Sequence, residues 1–448
     1  MSHVGSRSVT REPELRVVGL AVGKGVAMVD TIILGAGAVG VASAYYLNRA
    51  GESVCVIERQ PAAALETSWG NGCIIHASEV EPWSQPGMPG KILRWLGKED
   101  APLLLRYSAI PSMWRWGIHF ALNCTDSRFR RHCETNLALA LYSLGSLKEI
   151  RNELRLSYDA STRGVMKIYR SRQSFEAAER SLRLLEPLGL VFRRLTAAEA
   201  AEAEPALAAA ESELIGAFHF PNDEVGDCNK FTQGLASECS KQGVEFRYST
   251  AVRAVETSGG NVAGIATDKG RLTAKRVVVA LGSFTRPMLR GLGLDVPIHP
   301  VKGVSITFPR SVWNGAPGMA VIDDSRIFGL VPIGDRVRVS GSAEITGFDT
   351  KPAEARWQAI LANASSTFPT LKTAFRRDQA AMWAGLRPVT PAGTPLIGRT
   401  KIDGLWINSG HGHLGWTMAC GSGRVLADLM HGRDPQIPLP SAQGVILH

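Results

Sequence analysis

The chain has no run of about 18 apolar residues, so no helix is expected to cross a membrane. Its seven cysteines, Cys55, Cys73, Cys124, Cys133, Cys228, Cys239 and Cys420, are odd in number and include no C-x-x-C pair. That suggests neither a disulfide framework nor a zinc site and fits a reducing, cytoplasmic setting. Aromatic-basic RNA motifs, helix-turn-helix patterns and zinc patterns are also missing. The formal charge of +9, from 50 Lys+Arg against 41 Asp+Glu, therefore has no nucleic-acid motif behind it. No internal repeat or long linker is visible. Residues 1–27 mix Arg7, Arg11, Arg16 and Lys24 with Glu12 and Glu14 and lack a cleavage-site pattern. They read as a flexible extension, not a signal peptide, with Met28 as an alternative start.

What is present is the composition of a globular protein: 448 residues, 45 % hydrophobic, 20 % charged, mean hydropathy zero. At about 150 residues per domain, two or three domains are expected. Residues 30–58 supply the first motif. An apolar strand (Thr31 to Leu34) leads into Gly35, Gly37 and Gly40, a G-x-G-x-x-G, followed by a helix of small and apolar residues over Val39 to Ala50. A second strand, Ser53 to Ile57, ends at Glu58. In that context the glycines read as a dinucleotide site. Gly35 allows the tight turn, Gly37 the approach of the pyrophosphate and Gly40 the packing of helix on strand. The helix N-terminus faces the phosphates. Glu58 is placed to accept from both ribose hydroxyls, and its charge disfavours a 2′-phosphate even with Arg59 adjacent.

Three further segments turn this reading toward a flavin. Glu66 to Gly72 is small, polar and Gly-rich, suited to wrapping a long cofactor. Arg276 to Gly282 reads as a buried parallel strand whose C-terminal end faces a ligand. Residues 404–423 run from a strand (Leu405 to Asn408) through a turn containing Gly410, Gly412 and Gly415 into a helix beginning near Trp416. A reduced flavin is anionic around N1 and the C2 carbonyl, so a helix N-terminus aimed there stabilises it. Nicotinamide needs no such site, which favours FAD.

The chain resembles the D-amino-acid-oxidase-like flavoproteins, and among them the bacterial D-amino acid dehydrogenases. The matching residues are Gly35 to Gly40, Ala64 to Ser68, Glu81-Pro82-Trp83 with Pro86 to Pro89, His299 to Gly303, Ser340 to Ile345, Gly385 to Pro391 and Gly410 to Gly423. They extend over residues 29 to 435.

The resemblance implies an α/β fold in which an FAD-binding Rossmann-like domain is interleaved with a mixed-sheet substrate domain. By analogy the former takes residues 28–80, 215–285 and 385–435, and the latter 81–214 and 286–384, with 436–448 as a tail. It also implies oxidative deamination of D-amino acids: hydride passes from the α-carbon to flavin N5, the imino acid hydrolyses to a 2-oxo acid and ammonia, and the electrons go to a quinone or another respiratory-chain component. Non-covalent FAD contacts fall to Gly35, Ala36, Gly37, Val39 and Gly40, to Glu58, Arg59, Thr67, Ser68 and Asn71, to Gly282, and to Gly410, His411, Gly412, Leu414, Gly415, Trp416 and Thr417. Arg387 is expected to clamp the substrate carboxylate through two parallel hydrogen bonds. His413 and His76, with Glu79, are expected near flavin and substrate, and Lys302 to face the flavin. No general base is required, because the nitrogen lone pair of a neutral amine stabilises the forming iminium. No metal is expected.

Two departures from the dehydrogenase pattern bear on the substrate. Cys73 to Glu79 replaces a small-residue stretch with a glutamine and a tyrosine, and His413 stands where a threonine is usual. A D-hydroxyproline or other secondary-amine acid dehydrogenase, or a glycine/sarcosine-type amine oxidase of the same fold, remains the alternative.

Helices are expected over Lys91 to Leu96, Leu103 to Leu122 and Leu137 to Leu154. Strands are expected over Arg163 to Tyr169, Phe218 to Pro221, Val304 to Phe308, Ile327 to Val331 and Arg336 to Ser340. Five of the ten tryptophans lie between Trp69 and Trp116, near Arg106, Arg115, Arg128, Arg130 and Arg131. Two readings stand: a patch touching the cytoplasmic face of the inner membrane, or core tryptophans beneath a solvated basic face.

Overall fold

The computed structural model describes residues 29–97, 103–106 and 109–438. The expected extension over 1–27, Met28 and the last ten residues of the expected tail lie outside the described residues. The strand Val29–Leu34, the helix Ala38–Arg49 and the strand Val54–Ile57 form the βαβ unit read from the glycine motif. They belong to a six-stranded sheet in the order Leu396–Arg399, Leu405–Ser409, Ala274–Val279, Val29–Leu34, Val54–Ile57, Glu245–Arg247. All neighbours run parallel except the first pair. Both faces are covered, as a parallel sheet requires. Alternate residues divide between two cores. Ile33, Val56 and Val278 face the helices Ala38–Arg49, Cys228–Lys241 and Gly415–Met430. Ile32, Leu34, Val277 and Val279 pack against the antiparallel meander Val252–Leu272 and the segment near Leu289.

The last helix lies deep in the first core because its face is small. A Cβ on Gly423 would come within 2.7 Å of Ala42 backbone, and one on Gly421 within 2.7 Å of Ser143. Close approach of Gly415–Met430 to the helices Ala38–Arg49 and Asp126–Leu154 follows from these two positions.

A second sheet of nine strands is mixed. Its main path runs Ala381–Val389, His299–Pro309, Arg336–Ile345, Phe328–Ile333, Ala320–Asp323, Val165–Tyr169, Gly216–Phe220, Arg193–Leu195, and Leu103–Leu105 joins beside Arg336–Ile345. One face carries a core with Ile306, Val337, Val339 and the helix Glu354–Thr367. Residues of the other face line a large cavity shared with the first sheet.

Three expectations differ from the structure. Residues 216–220 and 385–389 fall in segments expected with the nucleotide domain but run in the nine-stranded sheet. Leu103–Leu105 is a strand, parallel to Ala343–Ile345, and the expected helix starts later, at Ile110, with Pro111 in its first turn. The helix Asp126–Leu154 begins eleven residues before Leu137, because Arg128, Arg130 and Arg131 make its exposed first turns polar and hide the apolar period. No described helix is long and apolar enough to cross a membrane.

Candidate active site

The cavity has a volume of about 1060 Å³ and is lined from both sheets. At one end stands the glycine turn. Gly35 has φ +100°, and a Cβ there would meet Ala280 O at 2.8 Å. Gly37 occupies the N-cap of Ala38–Arg49, with no side-chain cap and no acid in the first turn. The first N–H groups of that helix therefore lack intrahelical partners, and Ser68 Oγ accepts from only one of them, Ala38 N, at 3.2 Å. Glu58 ends the second strand. Its carboxylate accepts from Ala36 N and Gln60 N, each at 2.8 Å. Burial raises its carboxyl above the usual range, partly countered by these two N–H groups. Arg59 forks onto Glu66 and stacks 4.0 Å over Phe284, so it shapes the loop over the cavity.

The flavin-directed turn has the same construction. The helix Gly415–Met430 opens uncapped, again with no acid in its first turn. His411 Nε2, Trp416 Nε1 and His76 Nδ1 are buried without a hydrogen-bond partner, and all three residues line the cavity. Unpaired buried polar atoms are costly, and a large polar cofactor is the group that satisfies such atoms. Two free helix N-termini, a ribose-directed carboxylate, orphaned ring nitrogens and the size of the cavity fit FAD.

Of the residues expected from the sequence, Gly35, Gly37, Val39, Glu58, Arg59, Thr67, Ser68, Asn71, Gly282, His411, Gly412, Gly415 and Trp416 line the cavity, as do Arg387, His413 and His76. Five others stand behind it. Ala36 donates to Glu58. A Cβ on Gly40 would lie 1.9 Å from Gly35 O, so this glycine serves packing. Gly410, at φ +84°, turns against Thr390. Leu414 is fully buried in the core. Thr417 Oγ1 accepts from His76 N at 3.2 Å. Lys302 is a correction: it is buried in a network with Asp349 at 3.0 Å and Glu344 at 3.6 Å and does not line the cavity. Strand alternation explains this, since its neighbours Val301 and Gly303 point the other way, into the cavity. The Cys73 thiol accepts from Arg338 at 3.0 Å and is raised to about 11 by burial, and Cys420 is fully buried in the last helix.

Arg387 lines the cavity from the nine-stranded sheet, on Ala381–Val389. Its Nη1 donates to Ser342 O at 3.1 Å, and Trp83 lies under the guanidinium with the ring centroid at 5.9 Å. Gly303 across the ladder leaves room for it, because a Cβ there would come within 2.3 Å of Nη1. Among the described residues no carboxylate pairs with it. Burial lowers it to about 10, so it stays cationic at neutral pH.

Trp83 also stacks on His413, with centroids 5.7 Å apart and planes 12° apart. The His413 Nε2 lies 3.0 Å from Glu79 O. Glu79 pairs with Lys167 at 2.8 Å, and Lys167 reaches Asp324 at 3.3 Å. Burial pushes Glu79 up, and Lys167 beside it more than reverses this. Asp223 holds the backbone of this loop through Ala77 N at 2.9 Å. Burial keeps His76 at about 4 and His411 at about 3, and it lowers His413 as well. All three are neutral at pH 7. Trp383, Lys167 and Asp324 were missed from the sequence. Trp383 packs between Gly70 and Gly385, and those two glycines, each too close to the ring for a Cβ, were its only trace.

The fold and this cavity define a flavin-dependent oxidoreductase of the two-sheet type. The chain belongs to the DAO family, whose model, described as FAD dependent oxidoreductase, matches residues 30–429. It is 44 % identical over 411 residues to a D-amino acid dehydrogenase of Paramagnetospirillum magneticum, covering 91 % of this chain and 96 % of that protein. A D-amino acid dehydrogenase of Dechloromonas aromatica is 41 % identical, covering 91 % and 98 %. Among solved structures, glycine oxidase from Geobacillus kaustophilus superposes with a TM-score of 0.74 at 21 % identity, covering 94 % of this chain and 98 % of that one. L-proline dehydrogenase from P. horikoshii gives 0.72 at 21 %, covering 92 % and 95 %.

Proposed function

We propose that this chain is an FAD-dependent D-amino acid dehydrogenase, converting a D-amino acid to a 2-oxo acid and ammonia with a non-oxygen electron acceptor. The carrying observation is the buried Arg387 guanidinium, which pairs with no carboxylate among the described residues and lines the same cavity as a dinucleotide site. The match to D-amino acid dehydrogenases over 91 % of the chain supports the same reading.

When bound, the cofactor supplies a two-electron acceptor whose N5 takes the hydride. The protein does the rest. Arg387 binds the substrate carboxylate, and Ser342 O fixes its fork. Holding the carboxylate at one point orients the α-C–H, the main requirement for hydride transfer. The stacked Trp83 and His413 wall the pocket and exclude water. Neutral histidines add no positive charge beside the developing iminium.

The test is a screen of D- and L-amino acids with an artificial acceptor, in air and without oxygen. Dye reduction with D-isomers and no peroxide is expected. Peroxide release at the rate of turnover would make it an oxidase, and turnover of L-isomers alone would overturn the stereochemistry.

We further infer a cytoplasmic protein that touches the inner membrane surface. Support comes from the helix Ile110–Asn123, where Ile110, Trp114, Ile118 and Leu122 recur every fourth residue and are 38–58 % exposed. Lys91, Arg94, Arg128, Arg130 and Arg131 are exposed nearby in sequence. Flotation with anionic liposomes at low salt should carry the protein up, and recovery wholly in the soluble fraction would reject this.

A further inference from the structure

Part of the cavity is a vestibule walled by the helices Met88–Trp95 and Ile110–Asn123. Met88, Ile92, Trp95, Met113, Trp116 and Phe120 line it, and none carries a charge. The charged groups of an amino acid find no partner there, and desolvating them unpaired is costly. Trp116 and Phe120 are stacked, with centroids 5.1 Å apart and planes 19° apart. Trp116 Nε1 donates to Val389 O at 3.0 Å, which fixes the ring. A fixed pair of aromatic faces suits a planar, apolar ring.

The second observation is on the outside. The helix Ile110–Asn123 is apolar on two faces, with Met113, Trp116 and Phe120 turned to the vestibule and the Ile110, Trp114, Ile118, Leu122 stripe turned out. A helix at the edge of a globular domain ordinarily has one polar face. Met88–Trp95 has no buried residue and exposes Leu93. The exposed basic residues that flank these helices complement anionic headgroups. The helix Ile110–Asn123 thus joins an apolar inner wall to an apolar outer surface, the pairing that a ligand arriving from a lipid phase needs.

We propose that this vestibule is the docking site of the electron acceptor, a lipid-soluble quinone whose ring enters between the two helices. The proposal rests on the dehydrogenase reading above and names the acceptor's place in it. Two electrons and two protons pass to the quinone, its two carbonyl oxygens become the hydroxyls of the quinol, and the oxidised cofactor is regenerated.

The test uses the holoenzyme with a short-chain azidoquinone and, separately, decylubiquinone. Photolabelling of the unaltered protein should place the adduct in peptides covering 88–95 or 110–123, and competition by decylubiquinone should remove it. Ile92→Asp and Met113→Asp should each raise the KM for decylubiquinone tenfold or more relative to the KM for a hydrophilic phenazine dye on the same variant. Labelling elsewhere, or an unchanged ratio of the two KM values, overturns the proposal. A variant that instead raises the KM for D-phenylalanine relative to D-alanine, with the acceptor ratio unchanged, also overturns it and assigns the vestibule to the substrate side chain. Absence of D-amino acid oxidation with the dye in the unaltered protein would refute the dehydrogenase reading itself, while the labelling result would still report on the vestibule.

Discussion

Arg387 shows how a single side chain acquires a function from its surroundings. A guanidinium is ordinarily found paired or solvated, yet here burial lowers it to about 10 and, among the described residues, only Ser342 O accepts from it. Charge-assisted hydrogen bonds of a buried pair contribute about 1.5–3 kcal/mol each, so Arg387→Ala should raise KM for the amino acid by roughly 10²-fold. FAD content, read from visible absorbance, should be unchanged; an unaltered KM would remove the clamp. The same surroundings set the pH profile. His76 at about 4 and His411 at about 3 stay neutral above pH 5, and His413 is lowered in the same sense. The rise of kcat/KM with pH should therefore follow loss of the proton from the substrate ammonium. Arg387 stays cationic throughout the working range and adds no limb of its own. His413→Gln should leave the ascending limb in place, and an ascending limb that moves in this variant would mark the histidine as a proton acceptor. That Arg387 lines the cavity was foreseen only through its GLRP context, because nothing in the sequence shows that Gly303, eighty-odd residues earlier, leaves room for it.

At the scale of elements, glycine positions act at a distance from the ligand. Gly40 does not line the cavity, but a Cβ there would lie 1.9 Å from Gly35 O. Gly40→Ala must push the helix Ala38–Arg49 off the turn that carries its free N–H groups. Overpacking of this kind costs about 1–3 kcal/mol, and the displaced N-terminus weakens the phosphate contact as well. FAD affinity should fall at least tenfold, measured by reconstitution of the apoprotein, and unchanged affinity would show that the helix N-terminus is not the phosphate site. The nucleotide motif was legible because its period changes from two to 3.6 and back within thirty residues, with glycines at the joints. Leu103–Leu105 was not legible as a strand. Three leucines carry no period, and their conformation is decided by pairing with Ala343–Ile345, some 240 residues away. Residues 385–389 of the strand Ala381–Val389 differ from expectation for the same reason. Its partner His299–Pro309 is distant in sequence, and a resemblance to GLRP does not say which sheet it joins.

For the whole molecule, the cavity is the seam. Gly35, Glu58 and Ser68 border it from the nucleotide side, while Gly303, Ser342 and Arg387 border it from the nine-stranded sheet. A cofactor filling that seam touches both bodies and replaces contacts that neither makes alone. The orphaned His411 Nε2, Trp416 Nε1 and His76 Nδ1 lie along it, so the ligand-free protein carries their cost. Binding to the native state alone stabilises it by about 2.7 kcal/mol at a hundredfold excess over Kd. Removing FAD should therefore lower Tm by at least a few degrees, and the loss should be recovered in proportion to the logarithm of added FAD. Because the cofactor bridges both sheets, unfolding of the holoprotein followed by tryptophan fluorescence and by far-UV circular dichroism should coincide, whereas the apoprotein should show separated transitions. Coincident transitions with and without FAD, and a Tm insensitive to its concentration, would mean that the two sheets are held together by their own packing and that the seam is only a container.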